Sequence, residues 1–303
     1  MSVAAPERMT FAIMGIDACG SGFDSAIALA PHSDVAVSSE PPHTPTTESN
    51  LDSWVITSAR GALESAKAAE AISTNRIGLL YLSFWGSIRD TVGYLESLSA
   101  DGGRYPSPRL FTQSVYSAVA SQTVIALGIH GACETLSFVN LPVYRVLQRA
   151  WCLLETRRLD LVLAVWADYV DGPAVQLCKR ATAELHHPEF ARFRQNGGGS
   201  VAVALSRAGT ASAPVHLTLE NSPTVLPRGD AATERQAIHT LEFSERNVNR
   251  LPPAYPTDMA LEFALEILAC NRTKSARQWR EIDPVRRQQA NFMLEAAENR
   301  RGC

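Results

Sequence analysis

Residues 127–170 read LGIHGACETLSFVNLPVYRVLQRAWCLLETRRLDLVLAVWADYV, and their order decides the fold. An apolar segment reaches a sharp bend at Asn140, Leu141-Pro142 opens a strongly apolar helix over 141–154, and a basic turn at Arg157-Arg158 leads into a buried strand over 160–167. A strand–turn–helix of this kind presents one side chain at a helix N-terminus, where unpaired N–H groups and the helix dipole favour an anion. Such a setting lowers the pKa of a thiol and makes it a nucleophile. Asn140 stands where that thiol is expected, and an amide has no ionisable proton and forms no thioester. The residue also has a local explanation: Asn is a favoured N-cap and Pro fits the first helical turn.

Upstream, residues 9–16 (MTFAIMGI) read as a strand ended by a Gly-rich turn at 17–22, and 31–50 as a surface loop. Val55, Ala59, Leu63, Ala66 and Ala69 recur near helical spacing, which predicts an amphipathic helix over 53–71. Residues 76–86 (RIGLLYLSFWG) look like a strand buried on both faces, followed by a polar helix to about Ala100 and a loop over 101–108. The small residues of 113–127 (QSVYSAVASQTVIAL) suit one closely packed helix, closed by Gly128 and Gly131. The helix over 141–154 is apolar almost all round and belongs inside a multilayer domain.

Downstream, Gly197–Gly199 lack the Lys-Ser/Thr of a phosphate loop and read as a turn into a strand over 200–205. Residues 216–220 alternate as a short strand. Thr257 is a plausible N-cap for a helix over 257–269, and the polar tail from Asn271 reads as a solvated helix or a frayed end. Alternating helices and buried strands give an α/β layered fold.

Composition narrows the function classes. The chain has 303 residues, 46% of them hydrophobic and 19% charged, enough for a sizeable core. A net charge of −3 gives no reason to expect nucleic acid or an anionic membrane as partner. The first residues lack a signal-peptide pattern, and the six scattered cysteines form no CxxC pair, so they read as reduced thiols of a cytoplasmic protein.

The succession RIGLLYLSFWGS, QSVYSAVASQTVIALGIHG, the bend at Asn140, RRLDLVLAVWADY and NGGGSVAVAL resembles the N-terminal half of a β-ketoacyl synthase. The resemblance covers roughly residues 10–207 and implies a thiolase-like layered fold (α-β-α-β-α). On that footing residues 1–220 form a ketosynthase-like region, and 221–303 a reduced C-terminal half of the same domain with a polar tail. Matching 127–131 to the family's L-G-x-x-G places Asn140 on the nucleophilic Cys, and neither of the family's histidine motifs, H-G-T-G-T and G-H, occurs.

Loss of the whole Cys-His-His triad resembles the chain-length-factor type, catalytically silent homologues that pair with an active ketosynthase and limit how far its acyl chain grows. The resemblance implies a heterodimer with a ketosynthase in polyketide, polyene or fatty-acid-like biosynthesis, served by an acyl carrier protein and needing no cofactor. It makes Val115, Tyr116 and Ser117, with Phe138 and Val139 beside the bend, the candidates for the tunnel and the interface. The alternative is a repurposed enzyme, transferring or decarboxylating carrier-bound acyl groups, in which the Asn140 amide orients a carbonyl.

Other residues carry weaker signals. Cys133 is the nearest thiol and a candidate displaced nucleophile, though single cysteines are usually inert core residues. His186-His187 lack companions at ligand spacing, so no metal site is expected. Asp168 could serve as a general base, but with no nucleophile or His beside it, it reads as a solvated strand end.

Overall fold

The computed structural model describes residues 7–20, 50–137, 140–170, 172, 176, 197–210, 212–220, 222–225, 257–283 and 288–297. In chain order its strands and helices are β1 (Arg8–Gly20), α1 (Asn50–Ala69), β2 (Ile77–Leu82), α2 (Ile88–Ser99), α3 (Pro108–Ser114), α4 (Ala118–Leu127), β3 (Cys133–Leu136), α5 (Pro142–Glu155), β4 (Leu161–Val170), β5 (Gly197–Arg207), β6 (Val215–Glu220), β7 (Thr224–Val225), α6 (Thr257–Thr273), β8 (Arg277–Asp283) and β9 (Gln288–Ala296). The strands form one mixed sheet in the order β3-β2-β4-β5-β1-β6-β9-β7, with β8 also paired to β9. β2 runs parallel to β3 and to β4, and the other pairs are antiparallel.

Two apolar cores explain this layering. β2 and β4 are continuous apolar runs because helices cover both faces of the sheet. Leu79, Tyr81, Leu163 and Val165 pack with α1 and α4 on one face. Leu80, Leu82, Val162, Ala164 and Trp166 pack with α5 and α6 on the other. α5 buries Val143, Tyr144, Val146, Leu147, Leu153 and Leu154, a stripe worth roughly 1.5–3 kcal/mol per large side chain. Its opposite side exposes Arg149 and Glu155, so the helix is amphipathic rather than apolar all round. No helix among the described residues is long and apolar enough to cross a membrane.

Five expectations need correction. β1 does not stop at a Gly-rich turn after Ile16; it continues through Asp17 to Gly20, which pairs with Gly199. The Gly197–Gly199 segment is strand rather than turn, pairing with Val170, Tyr169 and Asp168. Glycine is needed there because a Cβ on Gly198 would run into the Asp168 carbonyl oxygen. The single helix over 113–127 is two: α3 begins at Pro108, where the Ser107 hydroxyl accepts from the Leu110 N–H, and Val115 turns extended before α4. The polar tail is a hairpin, β8–β9, in which Trp279 packs on Phe263 and Phe292. The short loop over 101–108 also begins with a 3-10 turn, Ala100–Gly103.

Candidate functional site

The C-terminal ends of the parallel strands β2, β3 and β4 lie side by side, the usual place for a site in such a sheet. Ser83 follows β2, Ser137 follows β3, and Asp168 lies near the end of β4. The Asp168 carboxylate is fully buried rather than solvated, because β4 runs on beside β5 and its second oxygen meets α6 at Thr257. Its Oδ1 accepts from the Ser83 hydroxyl at 2.7 Å and from the N–H groups of Phe84 and Trp85 at 2.8 and 2.9 Å. Burial pushes its pKa up to about 7, against the downward pull of the Trp85, Ser83 and Phe84 hydrogen bonds. With its oxygens committed this way, Asp168 acts as the anchor of the turn that follows β2.

Tyr116 reaches over the same strand ends. Its hydroxyl donates to the Ser83 carbonyl oxygen and lies 3.2 Å from the Ser137 hydroxyl. This tether explains the break between α3 and α4, since a continuous helix would lift the ring away from the sheet. Val115 and Ser117, on either side, are exposed. Phe138 and Val139, the other tunnel candidates, lie outside the described residues, as do His186 and His187.

The elbow itself is built from three consecutive residues. Asn140 is 8% exposed, and its Nδ2 has no hydrogen-bond partner among the described residues. Leu141 has φ 47° and ψ 56°, the left-handed conformation, and its carbonyl accepts the first helical bond, from the Arg145 N–H at 2.9 Å. Pro142 follows at the first helical position, and its carbonyl accepts from the Trp166 indole at 3.3 Å. A side-chain-bearing residue in this conformation costs about 1–2 kcal/mol, and such strain gathers at nucleophile elbows and other functional turns. The N-cap is therefore Leu141, not Asn140, and neither side chain at the elbow is a nucleophile.

The cap comes from elsewhere. The N–H groups of Val143 and Tyr144 donate to Oε1 and Oε2 of Glu281, at 3.0 and 2.8 Å. Glu281 is fully buried on β8. Sequence reasoning missed it by taking the tail for a solvated segment. The signal was the period-two alternation of 288–296, whose buried members Ala290, Phe292, Leu294 and Ala296 mark a strand.

Cys133 does not join this group. It opens β3, three residues before Leu136, so it lies about 10 Å along the strand from the elbow end. Cys133 is exposed at the surface, yet desolvation by the surrounding protein and then the neighbouring Glu134 raise its pKa, which opposes a reactive thiolate. Among the described residues no group of three or more His, Cys, Asp or Glu could hold a metal ion.

No family model matches the sequence. No curated protein matches it either. Solved structures do share the fold. The ishigamide ketosynthase/chain length factor is 15% identical, with a TM-score of 0.64 over 95% of this chain and 99% of that one. AntDE:AntF, a type II polyketide acyl-carrier protein in complex with its ketosynthase bound to the hexaketide, is 12% identical with a TM-score of 0.60 over the same shares. The ketosynthase ApeO in complex with its chain length factor ApeC, from Xenorhabdus doucetiae, is 11% identical with a TM-score of 0.51, again over 95% and 99%. At these identities the likeness establishes a fold: this chain has the thiolase-like α/β architecture of ketosynthases and chain length factors.

Proposed function

We propose that this chain is a non-catalytic, chain-length-factor-type subunit that pairs with an active ketosynthase and shapes its acyl tunnel. One observation carries the reading: the elbow that would present a nucleophile presents Leu141, preceded by Asn140, neither of which can be acylated as a thiol can. The fold shared with ketosynthase–chain length factor structures supports it. So does the α2–α3 hairpin, in which neither helix contains a buried residue and Leu95, Phe111 and Val115 remain exposed. Apolar side chains left uncovered on a folded surface suit a protein partner.

In this reading Val115, Tyr116 and Ser117, together with Phe138 and Val139, line the end of the partner's tunnel. They set chain length by overlap with the growing chain. The pair works in the cytoplasm on chains carried by an acyl carrier protein, and residues 1–220 and 221–303 serve as one functional unit. Co-expression with a ketosynthase from the same gene cluster tests it. A stable 1:1 complex is expected, and Val115→Trp in this chain should shorten the product while the ketosynthase remains active. A well-behaved monomer that ignores every ketosynthase of its cluster would sink the proposal.

A second reading, a repurposed acyl-transfer or decarboxylating enzyme, draws on the buried Asn140 Nδ2, an unspent donor that could orient a carbonyl. Turnover of a carrier-bound acyl group by this chain alone, abolished in Asn140→Ala, would favour it.

A further inference from the structure

The anion-attracting end of α5 is already occupied. Leu141 offers the helix no side-chain acceptor and Pro142 has no N–H, so the first N–H groups available belong to Val143 and Tyr144. Both go to one carboxylate, that of Glu281, 138 and 137 residues further along the chain. The bonds are 3.0 and 2.8 Å long, one to each oxygen, and the side chain is fully buried. Two charge-assisted bonds along a helix axis, at the positive end of its dipole, are what an anion needs to tolerate burial.

We propose that Glu281 is a resident anion that fills the carboxylate-binding pocket of the elbow and closes it to any outside carboxylate or thiolate. The idea goes beyond the partner reading, because it makes the site silent for a reason separate from the missing nucleophile. A thiol placed at the elbow would meet a fixed negative charge where an active site offers free N–H groups. Once the Glu281 side chain is removed, the Val143 and Tyr144 N–H groups form a site for a small carboxylate such as formate.

The test is chemical rescue in the full chain, which needs no partner and so stands or falls apart from the ketosynthase pairing. Thermal unfolding of Glu281→Ala is compared in sodium formate and in sodium chloride of equal ionic strength. The variant should melt at least about 4 °C below the parent in chloride, and formate should return half or more of that loss. The parent and Glu281→Gln, whose side chains still fill the pocket, should gain nothing over the chloride control. A formate response in Glu281→Ala no larger than the parent's overturns the proposal. Should Glu281→Ala fail to fold in chloride, refolding from urea decides: recovery only in formate supports the proposal, and no recovery in formate overturns it.

Discussion

Replacing Leu141 by Gly and by Ala separates backbone strain from packing at the elbow. The side chain is fully exposed to neither solvent nor substrate: it is wholly buried in the core that α5 and α6 share with the sheet. Truncation to Ala should cost about 2–5 kcal/mol, the usual range for Leu→Ala in a core. Truncation to Gly loses nearly the same contacts, and at an ordinary φ it would cost a further 0.5–1 kcal/mol, roughly, in unfolded-chain entropy. At φ 47° the balance changes. A Cβ in the left-handed region costs about 1–2 kcal/mol, and glycine escapes that cost. The difference leaves Leu141→Gly more stable than Leu141→Ala by up to about 1.5 kcal/mol, with a midpoint of about 0.75 kcal/mol. Urea unfolding of the two variants side by side measures this directly, given equal slopes. An Ala variant as stable as the Gly variant, or more so, would refute the claim that Leu141 is a strained elbow residue.

Stability should fall as pH rises from about 4 to 7, because three acids, Asp168 and Asp17 buried and Asp52 half-buried, have folded-state pKa values above the ordinary carboxylate range: Asp168 and Asp17 at about 7 and Asp52 at about 6, each raised mainly by burial. A raised pKa means the folded state holds its proton longer, so the stabilisation is complete below the unfolded value and is lost as pH rises through the folded one. Asp168→Asn should flatten the slope of the urea midpoint against pH without abolishing it, since Asp17 and Asp52 remain; an unchanged slope would contradict the assignment. Gly198→Ala should unfold at markedly lower urea or fail to fold, because its Cβ meets the Asp168 backbone, and a variant as stable as the parent would count against the β4–β5 register there.

Much of this fold was legible in the sequence because its central strands are buried on both faces. The runs around Leu79 and Val162 have no polar face, and a parallel arrangement follows from that. Residues 127–170 also gave the order strand, bend, helix, strand correctly. The misses have physical causes. The break at Val115 depends on a tertiary contact, the Tyr116 hydroxyl on Ser83, that no local propensity encodes. The start of α3 is encoded locally, by the Ser107 cap and Pro108 at the first helical position.

The β8–β9 hairpin was hidden because its outward faces are charged, so composition outweighed alternation. That error concealed Glu281. Asp168 was misread for a related reason: an acidic residue near a strand end is solvated unless another element covers it, and here α6 arrives from 89 residues away. Asn140 lies one residue before the N-cap, and the conformation that makes the turn an elbow belongs to Leu141, which only the backbone angles reveal.

Intact-protein mass spectrometry of the co-purified pair tests most directly the proposal that this chain contributes shape rather than chemistry. The complex would be incubated with an acyl group on its carrier protein and each subunit weighed. The expected result is an acyl adduct on the ketosynthase subunit and an unmodified mass for this chain. An acyl adduct on this chain would contradict the account.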